Sequence, residues 1–216
     1  MSGPLSPGVP EGPAAGGDRV GVARPLVLGI AGSPRRFGNS DRLLDAALAG
    51  ARAAGAETRR IVAGDLGMRP CQGCNACSLT GECVLRDGGR AFYDALDSAD
   101  GIIVSSPVFF ATVPAVLKIL YDRVQPYWAR TNVLGQQAPP RRPGGILLAR
   151  SGGDPFGYSA AEATTRSVFA VLAIDVVGVV VAEGVDGPAD LASGSPALAD
   201  AEALGRCIAE AAAPRS

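Results

Sequence analysis

Histidine is absent from this 216-residue sequence, and its absence excludes whole classes of site. A Ser-His-Asp triad, a Cys-His pair and a histidine-ligated zinc site are all impossible. Net charge is nearly absent as well, since 20 Lys and Arg residues stand against 21 Asp and Glu residues, for a formal charge of −1. That balance argues against a nucleic-acid partner and an anionic membrane surface. The chemistry must therefore come from a cofactor, from thiols or from carboxylates.

Long hydrophobic runs are also lacking. The longest nearly apolar run, residues 168–182, is interrupted by Asp175 and is shorter than the ~20 residues of a membrane-spanning helix. The first 25 residues contain six Gly and five Pro, without the basic and apolar regions of a signal peptide. We therefore expect a disordered tail over residues 1–24, one domain over residues 25–216, no membrane span, and a cytoplasmic location with reduced thiols.

The domain alternates short apolar runs with segments of helical period, which is typical of a parallel sheet covered by helices on both faces. Strands are predicted at residues 26–31, 57–62, 101–106, 145–150 and 174–182, and helices at residues 40–54, 90–97, 114–129, 158–173 and 196–212. Gly55 is expected to end the first helix, and Thr112 is a candidate for the cap of the third. The pattern indicates one doubly wound α/β domain whose ligand lies beyond the carboxyl ends of the strands.

The loop after the first strand is suited to a phosphate. A helix follows it at once, and a helix N-terminus offers free backbone N–H groups and a positive dipole end. Further donors are the hydroxyls of Ser33 and Ser40, the amide of Asn39 and the guanidinium of Arg35. The loop matches neither the Walker pattern nor G-x-G-x-x-G. The alternative is an ordinary turn rich in Gly, Pro and Ser.

Two further loops follow the third and fourth strands. Aromatic residues make up only 5% of the chain, yet Phe109 and Phe110 are adjacent in the first of these loops and could flank a flat ring. Their alternative role is packing of the loop onto the sheet. In the other loop, the paired glycines Gly152 and Gly153 would let backbone N–H groups approach a ligand, although such pairs also form ordinary turns.

The cysteines are concentrated in one segment. Four of the five, Cys71, Cys74, Cys77 and Cys83, follow the spacing C-x2-C-x2-C-x5-C. This spacing favours a [4Fe–4S] cluster over zinc, because a structural zinc site has two C-x2-C pairs separated by a longer stretch. Disulfides are disfavoured in a reducing compartment. The fifth, Cys207, lies on the apolar face of the last predicted helix and is expected in the core.

Together the three loops resemble the NADPH-dependent FMN reductase family of flavodoxin-like proteins over about residues 25–185. The motifs are Gly32-Ser33-Pro34-Arg35, Gly38-Asn39-Ser40, Ser106-Pro107-Val108-Phe109-Phe110 with Lys118 and Asp122-Arg123, and Ser151-Gly152-Gly153. The resemblance implies a five-stranded sheet in the order 2-1-3-4-5 with non-covalent FMN. By position, the resemblance implies that Ser33, Arg35, Asn39 and Ser40 would bind the phosphate. The isoalloxazine ring would contact Pro107, Val108, Phe109 and Phe110. The polar edge of that ring would contact Ser151, Gly152 and Gly153. A tyrosine or tryptophan often found in the second loop is replaced here by phenylalanine.

The cysteine segment is similar to that of the iron–sulfur flavoproteins, which would make Cys71, Cys74, Cys77 and Cys83 cluster ligands. Many reductases that resemble this family carry such a segment without a demonstrated cluster, and there it forms part of the active-site wall or the subunit interface. Both interpretations remain open at this stage.

The sequence therefore predicts an oxidoreductase that passes electrons from NAD(P)H through FMN to a small organic acceptor, such as a quinone, a nitro compound or a biosynthetic intermediate. The alternative is an iron–sulfur flavoprotein that relays single electrons between a partner such as ferredoxin and an acceptor. A third possibility is a protein that keeps the fold without FMN.

Arg150, Tyr158 and Asp154 are candidate catalytic groups by position only, and Tyr127 and Trp128 could cover the flavin or contact a second subunit. A homodimer or larger homo-oligomer is expected from the resemblance.

Overall fold

A computed structural model describes residues 24–187 and 190–212 of the chain. Its centre is a five-stranded parallel sheet in the order β2-β1-β3-β4-β5. The strands are β1 (Leu26–Ala31), β2 (Glu57–Val62), β3 (Gly101–Pro107), β4 (Arg142–Arg150) and β5 (Ile174–Glu183). The expected strand order and fold class are confirmed.

The helices are α1 (Asn39–Ala53), α2 (Cys77–Thr80), α3 (Gly89–Ser98), α4 (Ala115–Asp122), α5 (Gln125–Asn132), α6 (Ser159–Val171) and α7 (Pro196–Ala211), with a 3-10 turn at Ala63–Leu66. Alternate residues of the central strands point to opposite faces, so Ile102 and Val104 of β3 pack with α3, α4 and α6, whereas Ile103 packs with α1 and α7. Two apolar layers therefore cover the sheet and fix the carboxyl ends of its strands.

The helices differ from the sequence expectation in two places. The helix predicted over residues 114–129 is divided into α4 and α5, and its cap is Pro114 rather than Thr112. The division falls at Arg123, whose side chain is 1% exposed and bonds to a neighbouring segment. Gly55 follows α1 with a φ of +91°, as expected for the glycine that ends a helix.

Two other expectations concern single segments. The apolar run 168–182 is divided between α6 and β5, and no helix among the described residues is long and apolar enough to cross a membrane. The expectation for Cys207 is wrong, because its side chain lies on the exposed face of α7. Apart from Arg24, the predicted disordered tail lies outside the described residues.

Candidate functional site

A cavity of about 250 Å³ opens at the carboxyl ends of β1, β3 and β4. We call it the flavin-type cavity. Its lining residues are Ser33, Arg35, Gly38, Asn39, Ser40, Pro107, Val108, Phe109, Phe110, Ala149, Arg150, Ser151, Val185 and Asp186. Nine of the eleven residues expected at a flavin are among them, the exceptions being Gly152 and Gly153. The three loops selected from the sequence therefore meet at one place.

The loop between β1 and α1 is fixed by close backbone contact with β3. The N–H of Gly32 donates to the carbonyl oxygen of Ser105 at 2.7 Å, and the Ser105 hydroxyl donates to the carbonyl oxygen of Ser40 at 2.6 Å. A Cβ on Gly32 would lie 2.5 Å from Cδ2 of Leu117 and 2.9 Å from the carbonyl oxygen of Ser105, so both groups would have to shift. The glycine thus lets the loop pass between β3 and α4.

Asp41 shapes the same loop and was not selected from the sequence. Its carboxylate accepts a hydrogen bond of 2.7 Å from the N–H of Phe37, which has a φ of +58°. The other oxygen pairs with Arg60 of β2 at 2.8 Å, and the side chain of Asp41 is 5% exposed. An acidic residue in the first turn of a helix was the available signal, but its contacts depend on the tertiary structure.

Two of the expected phosphate contacts also bind protein groups. Arg35 donates to the carbonyl oxygen of Asp186 at 3.0 Å, and the Asn39 amide donates to that of Gly187 at 2.8 Å. The Asn39 oxygen accepts from the N–H of Leu191 at 3.1 Å. Arginine has five N–H donors and asparagine two, so each retains donors for a ligand. The segment after β5 forms a wall of the cavity that no sequence motif indicated.

The loop after β3 makes a tight turn beside the cavity. Phe109 and Thr112 exchange backbone hydrogen bonds of 2.8 and 3.1 Å, and the intervening Phe110 and Ala111 have φ values of +50° and +62°. Left-handed backbone is unfavourable for these residues. The Phe110 side chain is 97% exposed, so its own packing does not compensate. The N–H of Ala161 in α6 holds the turn by donating to the Ala111 carbonyl at 3.0 Å.

The candidate catalytic groups are placed differently from one another. Arg150 lines the cavity, and its guanidinium bonds to Glu183 at 3.2 Å and to the carbonyl oxygen of Asp154 at 3.4 Å. The Asp154 carboxylate instead accepts from the N–H of Phe156 at 2.9 Å. Tyr158 packs against the core and is not a lining residue. Of the three, only Arg150 is brought to the cavity.

A second cavity, of about 390 Å³, is lined by all four clustered cysteines, Cys71, Cys74, Cys77 and Cys83. We call it the cysteine cavity. Its opposite wall is formed by residues at the junction of α4 and α5, namely Asp122, Arg123, Gln125, Pro126 and Trp128. It shares no lining residue with the flavin-type cavity.

The adjacent residues Tyr127 and Trp128 lie in different surroundings. Trp128 lines the cysteine cavity and is 43% exposed, whereas Tyr127 is buried and donates to the Asp97 carboxylate at 2.8 Å. The ring of Tyr127 is therefore part of the core and does not cover the flavin-type cavity.

The four thiols lie around the cysteine cavity and influence one another electrostatically. Among the described residues, no three His, Cys, Asp or Glu side chains converge closely enough to hold one metal ion. A single zinc brings its sulfurs together through Zn–S bonds of about 2.3 Å, whereas a [4Fe–4S] cluster takes each thiolate at a different corner. Burial raises the pKa of the Cys77 thiol, the other three thiols add to that rise, and a backbone hydrogen bond opposes it. The four sulfurs are thus near neighbours around one cavity, which suits a cluster.

Comparison with known proteins agrees with the fold. The model of the NADPH-dependent FMN reductase family matches residues 25–186. An iron-sulfur flavoprotein of Archaeoglobus fulgidus is 33% identical over 187 residues, which cover 85% of this chain and 79% of that protein. An iron-sulfur flavoprotein of Methanocaldococcus jannaschii is 43% identical over 100 residues, which cover 46% of this chain and 52% of that protein.

Among solved structures, the NAD(P)H:quinone oxidoreductase of Methanothermobacter marburgensis has a TM-score of 0.61 and 17% identity, covering 85% of this chain and 98% of that one. A flavone reductase has a TM-score of 0.63 and 22% identity, covering 86% of this chain and 62% of that one. Identities this low show a common fold. The match of the family model to residues 25–186 shows more, and the chain belongs to the NADPH-dependent FMN reductase family of flavodoxin-like oxidoreductases.

Proposed function

We propose that this protein binds FMN in the flavin-type cavity and transfers electrons from NAD(P)H to a small organic acceptor, such as a quinone, a nitro compound or a biosynthetic intermediate. The observation that carries the proposal is the convergence of nine of the eleven expected flavin contacts on one cavity. Family membership supports FMN as the cofactor. When bound, FMN supplies the redox chemistry of the proposed reaction.

The β1–α1 end of the cavity suits the phosphate. The first intrahelical hydrogen bond of α1 runs from the N–H of Arg42 to the carbonyl oxygen of Gly38, at 3.1 Å. No side chain among the described residues caps this helix N-terminus, so the N–H groups at residues 39–41 lack a cap and can bind an anion. Ser33, which is 7% exposed, and Arg35 line the same end. These groups hold the cofactor by its charged end.

The other loops suit a flat ring. Pro107, Val108 and Phe109 present apolar surface at the end of β3, and Ser151 starts the loop that we assign to the polar edge of the ring. Gly152 and Gly153 have φ values of +96° and +78°, with nothing within 4 Å of an added Cβ. We assign their N–H groups to the ring edge, and Arg150 to positive charge on the same side. Tyr158 has no assigned role because its side chain packs against the core.

The second candidate function is a single-electron relay between a redox protein such as ferredoxin and the acceptor. In this relay, Cys71, Cys74, Cys77 and Cys83 would hold a [4Fe–4S] cluster. The arrangement of all four around one cavity favours it, and the two relatives of 33% and 43% identity are named iron-sulfur flavoproteins. Both functions use the flavin-type cavity, and they differ in whether the cysteine cavity holds a cluster.

Anaerobic purification followed by absorption spectroscopy and by iron and sulfide analysis tests both functions. Flavin bands with four irons per chain would support the relay, whereas flavin bands without iron would exclude it. Failure to bind FMN after reconstitution would contradict the proposed function in both forms. Reduction with NADH and NADPH in separate experiments, followed by reoxidation with a panel of acceptors, identifies the donor. If neither nicotinamide reduces a flavin that a soluble electron donor does reduce, the nicotinamide-dependent form is wrong.

A further inference from the structure

The cysteine loop, residues 69–87, is held at its two ends by one buried side chain. Arg123, between α4 and α5, is 1% exposed. Its Nη1 donates to the carbonyl oxygen of Arg69 at 2.8 Å and to Oδ2 of Asp87 at 2.9 Å, and its Nη2 donates to Oδ1 of Asp87 at 3.1 Å. The guanidinium therefore joins the residue two positions before Cys71 to the residue four positions after Cys83.

Asp87 completes this closure from the other side. Its carboxylate also accepts hydrogen bonds from the N–H of Arg69 at 3.0 Å and from the N–H of Gly89 at 2.9 Å. A Cβ on Gly88 would lie 1.6 Å from the carbonyl oxygen of Leu66, and one on Gly89 would lie 2.6 Å from Nη2 of Arg123. The end of the loop is thus packed directly on the 3-10 turn and on the guanidinium.

The charge of Arg123 lies beside the thiols. Arg123 lines the cysteine cavity, and its carbonyl oxygen accepts a hydrogen bond of 2.9 Å from the Tyr93 hydroxyl. Burial raises the pKa of Tyr93 to about 12, with Arg123 opposing that rise and Cys83 adding to it, so the guanidinium and that thiol both lie within electrostatic reach of the Tyr93 hydroxyl. Nε of Arg123 is buried and has no hydrogen-bond partner among the described residues. The protein therefore keeps a permanent cation, paired with the Asp87 carboxylate, next to a loop that itself contains only one turn of helix, α2.

We propose that Arg123 is a positioning residue that closes the ends of the cysteine loop and holds a fixed positive charge beside the four thiols, so that they can bind a cluster. This inference rests on the proposed relay function. An arginine remains charged at all relevant pH values, and a cluster bound by four thiolates is anionic. A neighbouring cation stabilises its reduced form most, since that form carries the greater negative charge.

The test compares Arg123→Met, which removes the charge and the clamp, with Arg123→Lys, which keeps the charge but cannot span the same three acceptors. Arg69→Lys is the matched control, because the Arg69 side chain is 57% exposed and meets the same carboxylate at only 3.8 Å. The first readout is alkylation of the four thiols in cluster-free protein by iodoacetamide, mapped by mass spectrometry. Because the thiolate is the reacting form and Arg123 favours it, the rates are compared at a pH at which the thiols are largely ionised in every variant. There we expect Arg123→Met to react several-fold faster than the parent protein, since its loop ends are no longer joined, and Arg69→Lys to match the parent.

The second readout uses the reconstituted protein. Arg123→Met should lose iron to a chelator at least about tenfold faster and have a lower cluster reduction potential, whereas Arg123→Lys should lose iron faster but keep a potential near that of the parent. FMN content should remain the same in all variants because the two cavities share no lining residue. If Arg123 only joined the loop ends, Arg123→Met and Arg123→Lys should have the same cluster reduction potential.

The outcomes separate this inference from the relay itself. If the parent protein assembles no cluster, the relay is wrong, and the inference that the clamp serves a cluster is wrong with it. If the parent assembles a cluster and Arg123→Met equals it in alkylation rate, iron retention and potential, the relay stands and the positioning role is overturned. If Arg123→Met fails to fold, as judged by loss of FMN binding, equality of Arg123→Lys with the parent in alkylation and iron loss overturns the role.

Discussion

The two cavities of this protein are built in opposite ways. The flavin-type cavity is formed by short loops that each leave the end of a strand, so the apolar layers under the sheet determine its shape. The cysteine cavity is formed by a loop with one helical turn, and a single buried ion pair, Arg123 with Asp87, ties its ends together. The comparison indicates that the first site depends on close backbone packing and the second on polar side-chain contacts, namely the Arg123–Asp87 ion pair and the hydrogen bond from Nε of Arg130 to the carbonyl oxygen of Gly81.

The largest effect is expected for Asp87→Asn, which disrupts the ion pair at the ends of the cysteine loop and leaves the flavin-type cavity intact. The substitution leaves a buried guanidinium without its counter-ion, and removing one partner of such a pair costs about 3–5 kcal/mol. Urea unfolding at pH 7 should show a loss of this order, with FMN binding retained in the folded protein. Glu82→Gln, at an exposed carboxylate of the same segment, is the control and should have little effect.

The stability difference between the parent protein and Asp87→Asn should depend on pH in a defined direction. Hydrogen bonds from Arg123, with those from the N–H groups of Arg69 and Gly89, hold the pKa of the Asp87 carboxyl well below its ordinary value of 3.8. A lowered pKa in the folded state means that the ionised carboxylate stabilises the protein above that ordinary value and that this stabilisation is lost as the pH falls below it. The difference in unfolding free energy between parent and Asp87→Asn should thus be constant near neutrality and shrink below about pH 4. A difference that grows on acidification would contradict the assignment.

The corresponding substitution at the flavin-type cavity is Gly32→Ala, in the loop between β1 and α1. The added Cβ would lie 2.5 Å from Cδ2 of Leu117 and 2.9 Å from the Ser105 carbonyl oxygen, so the Leu117 side chain must move and the backbone of the loop or of β3 must shift, at a cost of about 1–3 kcal/mol. We expect FMN affinity to fall and the alkylation rates of the four cysteines to stay unchanged. Gly64→Ala is the control because nothing lies within 4 Å of a Cβ there and its φ is not positive. Retention of parental FMN affinity by Gly32→Ala would show that this loop does not hold the cofactor.

A smaller effect of opposite sign is expected at Phe110. Its side chain is 97% exposed and its φ is +50°, so Phe110→Gly removes backbone strain without losing packing, and should stabilise the cofactor-free protein by about 1 kcal/mol. Phe156→Gly is the control, since Phe156 is also exposed but its φ is not positive, and there glycine should destabilise by up to about 1 kcal/mol. If the strained turn serves the ligand, Phe110→Gly should also raise the KM for the acceptor. Lower stability of Phe110→Gly would contradict the strain argument.

The same contrast explains what the sequence could predict. Alternation of strands and helices predicted a doubly wound parallel sheet, because that signal is local, whereas the family resemblance carried by the loop motifs predicted its strand order and nine residues that line the flavin-type cavity. The wall formed by Val185 and Asp186 could not be predicted, since it depends on how the segment after β5 returns to Asn39. Spacing identified the four cysteines, but nothing near Arg123 in the sequence shows that its side chain reaches residues 69 and 87.

The smallest effect is expected where the two regions meet. Arg36 of the β1–α1 loop pairs with Asp65 of the 3-10 turn that precedes the cysteine loop, and both side chains are about half exposed. Exposed pairs contribute about 0–1 kcal/mol because water and salt screen them, so Arg36→Gln should change urea unfolding by no more than this. Neither FMN affinity nor the alkylation of the cysteines should change in Arg36→Gln. A substantial change in both would mean that this contact couples the two cavities, and that their separate construction does not make them independent.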